Sequence, residues 1–191
     1  MEAKLKKVVL GYLFLAAMAG VIVFFDQWTK VLVRTRLAYG EVWSPWPWLA
    51  PYARIVNWNN TGAAFGIFQG YGAVFTVLAI IVSLVIIYYF PRVSSKDWLL
   101  RIAMGLQLGG ALGNLIDRIT VGRVTDFVSL GSFAVFNVAD ASITVGVIIL
   151  VAGVWFREQQ DKKRDRASDM SGPMSAKGND RPAQGGGDPL G

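Results

Sequence analysis

The sequence predicts a membrane all-α fold: a four-transmembrane-helix bundle with a small sheet resting on the membrane. Three observations lead there. Hydrophobic residues make up 53% of the chain and charged residues 17%, with a mean hydropathy of +0.42, too apolar for an ordinary soluble domain. The charges are also segregated, since Asp26, Glu41, Asp97, Asp117, Asp126 and Asp140 are the only acids between Ala3 and Phe156. Finally, four apolar runs at about 8–25, 71–90, 98–116 and 134–156 are long enough to span. At the rise of an α-helix each reaches roughly 27 Å, close to the thickness of a bilayer's hydrocarbon core.

The first run follows Lys4, Lys6 and Lys7 and contains "AAMAG", which imitates a cleavable signal peptide. Its apolar stretch continues to Phe25, giving it spanning length, so a retained helix is expected. The segment from about 26 to 70 carries "VWSPWPWLAPY", a density of Trp, Tyr and Pro suited to the headgroup region. Pro45, Pro47 and Pro51 oppose a helix there, and "ARIVNWNN" reads as a short strand.

The third run carries Gly105, Gly109 and Gly113 at four-residue intervals, a small-residue stripe that is expected to bring spans three and four together. After Phe156 the composition switches to Lys, Arg, Asp, Gln, Ser, Gly and Pro, so 157–191 is expected to be a disordered polar cytoplasmic tail. The domain organisation is therefore a transmembrane domain over 1–156 and that tail. Of the 19 basic residues, 13 lie in the N-terminus, the 91–101 segment and the tail, which by the positive-inside rule places both termini in the cytoplasm.

Composition also removes chemistry. With no Cys and no His, thiol nucleophiles, Ser-His dyads and zinc sites of the usual kinds are excluded, and no metal or other cofactor is expected. The net charge of +6 forms no basic stripe on a soluble module, so no nucleic-acid partner is expected; membrane lipids are.

The polar residues near the spans collect at one boundary. Asp26 closes span one, Asn60 precedes span two, Asn114 and Asp117 close span three, and Asn137 and Asp140 open span four. Asp126 lies in the connection that follows span three. With span four starting at 134, Asp140 would sit roughly 9 Å inside its helix, a costly place for a carboxylate without a function or a partner. Two carboxyls held close in a low dielectric share one proton, so one can activate water while the other protonates a carbonyl oxygen. Polar glue between helices and an ion-coupled transporter are alternatives that this pattern alone leaves open.

The motifs that carry these residues resemble those of the lipoprotein signal peptidases, the type II signal peptidases of bacteria. In order they are "DQWTK" (26–30), "NTGAAFG" (60–66), "GGALGNLIDR" (109–118), "VTDFV" (124–128) and "FNVADASI" (136–143). The resemblance implies an aspartic endopeptidase of the inner membrane, with its active site at the outer face, that removes the signal peptide of prolipoproteins before a diacylglyceryl-modified Cys. It implies four transmembrane helices with a small extracytoplasmic β-containing cradle, blockade by globomycin, and catalysis by Asp126 and Asp140. Asn60, Gly62, Asn114, Arg118 and Asn137 become candidates for orienting substrate or supporting the pair. Asp26 and Lys30, spaced i and i+4, fit a local ion pair at least as well as a substrate contact, and Asp117 with Arg118 would tie the end of span three.

Overall fold

The computed structural model describes residues 2–62 and 68–170. Along the chain run α1 (Glu2–Arg36), β1 (Val42–Trp43), β2 (Ala53–Asn60), α2 (Gly72–Tyr89), a 3-10 turn (Phe90–Arg92), α3 (Trp98–Thr120), β3 (Val124–Leu130) and α4 (Val138–Met170). Four helices are long and apolar enough to cross a membrane. They keep most of their Leu, Ile, Val and Phe side chains exposed, as a lipid-facing bundle must.

The most buried helix is α3: 44% of its most apolar stretch is buried against 17% for each of the other three spans. Leu108 of α3 packs with Leu15 and Ala19 of α1, with Ile86 of α2 and with Phe90 of the 3-10 turn. The glycine stripe explains the closeness of one of these contacts, though not the one its spacing suggested. A Cβ on Gly109 would lie 2.6 Å from Ile22 Cβ, and one on Gly105 would lie 2.8 Å from Met18 Cβ, so the stripe seats α1. The contact with α4 lies about one residue further round the helix, at Gly110, where any side chain would strike Ala139 O.

The three strands form an antiparallel sheet in the order β1-β2-β3. Strand β2 covers the "ARIVNWNN" stretch, and its register with β3 sets Trp58 opposite Asp126 and Asn60 opposite Val124. Because β1 and β2 lie between α1 and α2, and β3 between α3 and α4, the sheet sits at one end of the bundle.

Three of the boundaries that differ from those the sequence suggested have a structural cause. Helix α1 continues to Arg36 rather than stopping near Phe25, because Asp26 and Lys30, both fully buried, neutralise each other against α3. Hydropathy counts such charges as an end of the span when they are a polar seam inside it. Helix α4 starts at Val138, not 134, because Phe136 bonds with β3: its N–H donates to Val128 O at 3.0 Å, and its carbonyl accepts from Val128 N at 2.8 Å.

The third concerns the tail. Residues 157–170 are helical, whereas disorder was expected. Glu, Gln, Lys and Arg are good helix formers, and Lys162 Nζ meets Glu158 Oε1 at 2.6 Å with i,i+4 spacing. The rest of the expected tail, 171–191, lies outside the described residues.

Candidate active site

Helix α4 opens with a reciprocal cap. Asn137 precedes its first residue, and Asn137 Oδ1 accepts the Asp140 backbone N–H at 2.9 Å. In return, Asp140 Oδ2 accepts the Asn137 N–H at 3.3 Å. This is a capping box with Asp in the third helical position, where a carboxylate also meets the positive end of the helix dipole. The remaining donor nearby, Ala139 N–H, is taken by Asp26 Oδ1 of α1 at 2.9 Å. Asp140 therefore stands in the first turn of α4, not the roughly 9 Å inside it that a start at 134 implied.

Strand β3 brings the second carboxyl to the same place. Asp126 Oδ1 accepts from Asn137 Nδ2 at 2.7 Å, and Asp126 Oδ2 accepts from Asn60 Nδ2 at 2.9 Å. Asp140 Oδ1 accepts from Asn114 Nδ2 at 2.7 Å. Each amide is pinned in the required orientation by what its own carbonyl accepts. For Asn60 this is Gly62 N–H at 2.9 Å, and for Asn114 it is Lys30 Nζ at 2.9 Å. Burial pushes the Asp126 carboxyl up to about 7, the neighbouring Asp140 charge adds to that, and the two asparagine bonds oppose it.

Beneath this pair lies a charged cluster with no exposed surface. Lys30 Nζ is 2.8 Å from Asp26 Oδ2 and 3.4 Å from Asp117 Oδ2. Asp117 also accepts the Thr125 N–H at 2.9 Å, which anchors β3 one residue before Asp126. Asp26 and Lys30 thus form the expected i,i+4 pair, but that pair is also a joint between α1, α3, β3 and α4.

Three members of this joint were not singled out from the sequence: Gln27, Arg34 and Thr125. Gln27 Nε2 donates to Gly113 O at 3.0 Å, and Arg34 Nη1 donates to Asp117 Oδ1 at 3.2 Å and to Thr125 Oγ1 at 3.0 Å. The four-residue spacing of Asp26, Lys30 and Arg34 was the available signal. It reads as one charged stripe once α1 is allowed to continue.

A cleft of about 660 Å³ lies between α2, α3 and α4. Its polar end is lined by Asn60, Gly62, Asn114, Arg118 and Asp140, and the rest is mostly apolar. Arg118 donates to Asn114 O at 3.4 Å and lies with its guanidinium 5.7 Å from the Phe75 ring, joining the α2 and α3 walls. Asp126, 1% exposed, sits behind that end, while Asp26, Lys30 and Asp117 do not reach the cleft. The Ala63–Gly66 part of "NTGAAFG" lies outside the described residues.

A model of the signal peptidase (SPase) II family matches residues 18–156. The chain belongs to the signal peptidase II family. A lipoprotein signal peptidase of Anoxybacillus flavithermus is 39% identical over 156 residues, which cover 80% of this chain and 91% of that one. A lipoprotein signal peptidase of Staphylococcus aureus is 34% identical over 146 residues, 74% of this chain and 87% of the other. Among solved structures, a bacterial membrane enzyme determined by the in meso method at 2.3 Å resolution matches with a TM-score of 0.71 and 31% identity. That match covers 76% of this chain and 90% of its counterpart. All the candidate site residues fall inside the span matched to signal peptidase II, and the chain is an integral-membrane peptidase of that family.

Proposed function

We propose that the chain removes the signal peptide of diacylglyceryl-modified prolipoproteins by cleaving before the lipidated Cys, with Asp126 and Asp140 as its catalytic pair. The observation that carries the reading is that one asparagine, Asn137, bonds both carboxyls, with Asp140 lining the polar head of an otherwise apolar cleft and Asp126 behind it. An apolar precursor helix fits such a cleft from the lipid side, while its scissile carbonyl reaches the end where water is available.

In the first step ionised Asp140 takes a proton from water as the water oxygen bonds to the carbonyl carbon. Asp126, which holds its proton below a pH of about 7, gives it to the carbonyl oxygen. The tetrahedral gem-diol then collapses: the C–N bond breaks, the amide nitrogen leaves with a proton from Asp140, and Asp126 takes back a proton from one hydroxyl of the gem-diol as the C=O bond re-forms. Asn114 and Asn60 keep the carboxyls aimed, and Arg118 at the cleft mouth orients the substrate. Asp26, Lys30 and Asp117 hold the helix ends that present the pair.

The positive-inside pattern supports cytoplasmic termini, with this end of the bundle at the outer face of the inner membrane. The tryptophans of the segment between β1 and β2 are exposed, which suits contact with headgroups there. Globomycin is expected to occupy the cleft. The test is incubation of the purified protein with a diacylglyceryl-modified precursor, with and without globomycin. Cleavage immediately before the modified Cys, suppressed by globomycin, supports the proposal; cleavage that ignores the lipid or occurs elsewhere contradicts it.

A further inference from the structure

The cleft carries one amide that the proposed chemistry does not use. Gln107 lines it on the same face of α3 as Ala111, Asn114 and Arg118, at the i, i+4, i+7, i+11 spacing of a continuous helical stripe. It lies seven residues from Asn114 toward the opposite end of the bundle, roughly 10 Å along the helix axis. Its stem is held by α4, because a Cβ on Gly146 would fall 2.8 Å from Gln107 Cγ, so the pair leaves room for this side chain and little else. The amide makes no hydrogen bond with any described residue. Beyond its polar end, the described lining of the cleft is otherwise apolar side chains and Thr144, whose hydroxyl already donates to Asp140 O at 2.8 Å.

We infer that Gln107 is a specificity-determining residue: it hydrogen-bonds a serine or threonine hydroxyl on the bound signal-peptide helix, about seven residues before the scissile bond. The inference rests on the proposed reading of the cleft. A helix in hydrocarbon has already satisfied its own backbone groups, so a side-chain hydroxyl is the polar group it has left to offer at that depth. A primary amide both donates and accepts, and so matches a hydroxyl in either direction. The seventh position follows from equal rise in two helices lying side by side, counted from the level of Asn114 and Asp140.

The test uses full-length protein in detergent and lipid-modified precursors that differ only in carrying Ser or Leu at the seventh residue before the lipidated Cys. A second pair carries the same change at the eleventh residue. Wild-type enzyme is expected to favour Ser over Leu at the seventh position by about fivefold in kcat/KM, the scale of an interhelical hydrogen bond in a membrane. It should show no such preference at the eleventh. In Gln107→Leu and in the isosteric Gln107→Met the ratio should fall to one or below. Because the readout is a ratio within one enzyme preparation, partial misfolding of a variant cancels. An absent preference in the wild type, or one that survives both substitutions, overturns the role of Gln107. If Asp140→Asn cleaves the parent precursor as well as wild type does, the reading of the cleft itself has failed.

Discussion

Asn137 Nδ2 donates to Asp126 Oδ1 across 2.7 Å, a contact between the residue that caps α4 and the middle of β3. The same side chain's oxygen holds the Asp140 N–H, so one residue serves as helix cap and as spacer between the carboxyls. Substitution can separate those duties. Serine is also a good N-cap but is too short to reach Asp126. Asn137→Ser should therefore unfold within a few degrees of wild type while its turnover falls on the order of 10- to 100-fold, the scale of a hydrogen bond to a charged group. Thermal unfolding and precursor cleavage measured on one preparation check this, and unchanged turnover would remove Asn137 from the site.

The pH profile should follow Asp126. Its folded pKa of about 7 is raised above the ordinary carboxylate value of 3.8 by burial and then by Asp140, so the carboxyl acts as a proton donor below about 7 and stops doing so above it. Turnover is expected to fall as pH rises through about 7. Asn60 stabilises the ionised form, so Asn60→Ala should move this alkaline limb to higher pH. A limb that stays in place would mean that another group controls it.

Stability carries the same sign. A raised folded pKa favours the folded state fully below the unfolded value of 3.8, and this contribution is lost as pH rises through about 7. Asp126→Asn removes that titration. Denaturation in detergent followed between these two pH values should show a slope in the wild type that the variant lacks.

The buried cluster should behave as a unit. Lys30→Met strands Asp26 without its cation and leaves Asp117 with Arg34 alone, and should cost about 3–5 kcal/mol, the usual result of breaking a buried ion pair from one side. Adding Asp26→Asn and Asp117→Asn should restore most of that loss. Each Asn retains an oxygen for the Ala139 and Thr125 N–H groups that the aspartates now hold. Unfolding of the single and triple variants distinguishes this from a cluster whose members contribute independently.

Two glycines offer a contrast in packing. A Cβ at Gly110 would meet the backbone oxygen of Ala139 and lie 2.6 Å from Ser142 Oγ, whereas one at Gly20 would find nothing within 4 Å. Gly110→Ala should cost about 1–3 kcal/mol and move Asp140 away from Asn114, with loss of turnover. Gly20→Ala should be neutral or slightly stabilising, since alanine favours the helix. Equal behaviour of the two would mean that α3 and α4 are not in close contact.

The parts of this architecture that were legible in the sequence are those that hydropathy or alternation controls. The interiors of the spans qualify, and so does the β2 strand, whose aromatic and β-branched residues mark an extended segment. Helix limits were misplaced where polar residues find partners in other elements. Asp26 and Lys30 looked like the end of a span because their partner Asp117 is far away in the chain, and Phe136 looked helical because its partner is Val128. The facing of a glycine stripe is likewise a property of two helices and cannot be read from one. Within the site, Asp126 and Asp140 stood out as acids in apolar surroundings. Arg34 and Thr125 do not stand out, because one resembles a membrane-boundary anchor and the other an ordinary strand residue.

The central claim is that Asp126 and Asp140 act as one catalytic unit. The most direct test is the single-turnover rate of a diacylglyceryl-modified precursor with Asp126→Asn, Asp140→Asn and the double variant, each shown to be folded. Each single change should lower the rate by about 10³-fold or more, and the double variant should be no more than a few-fold slower than the worse single one. A single variant that cleaves within tenfold of the wild-type rate, or losses that multiply in the double variant, would contradict the account.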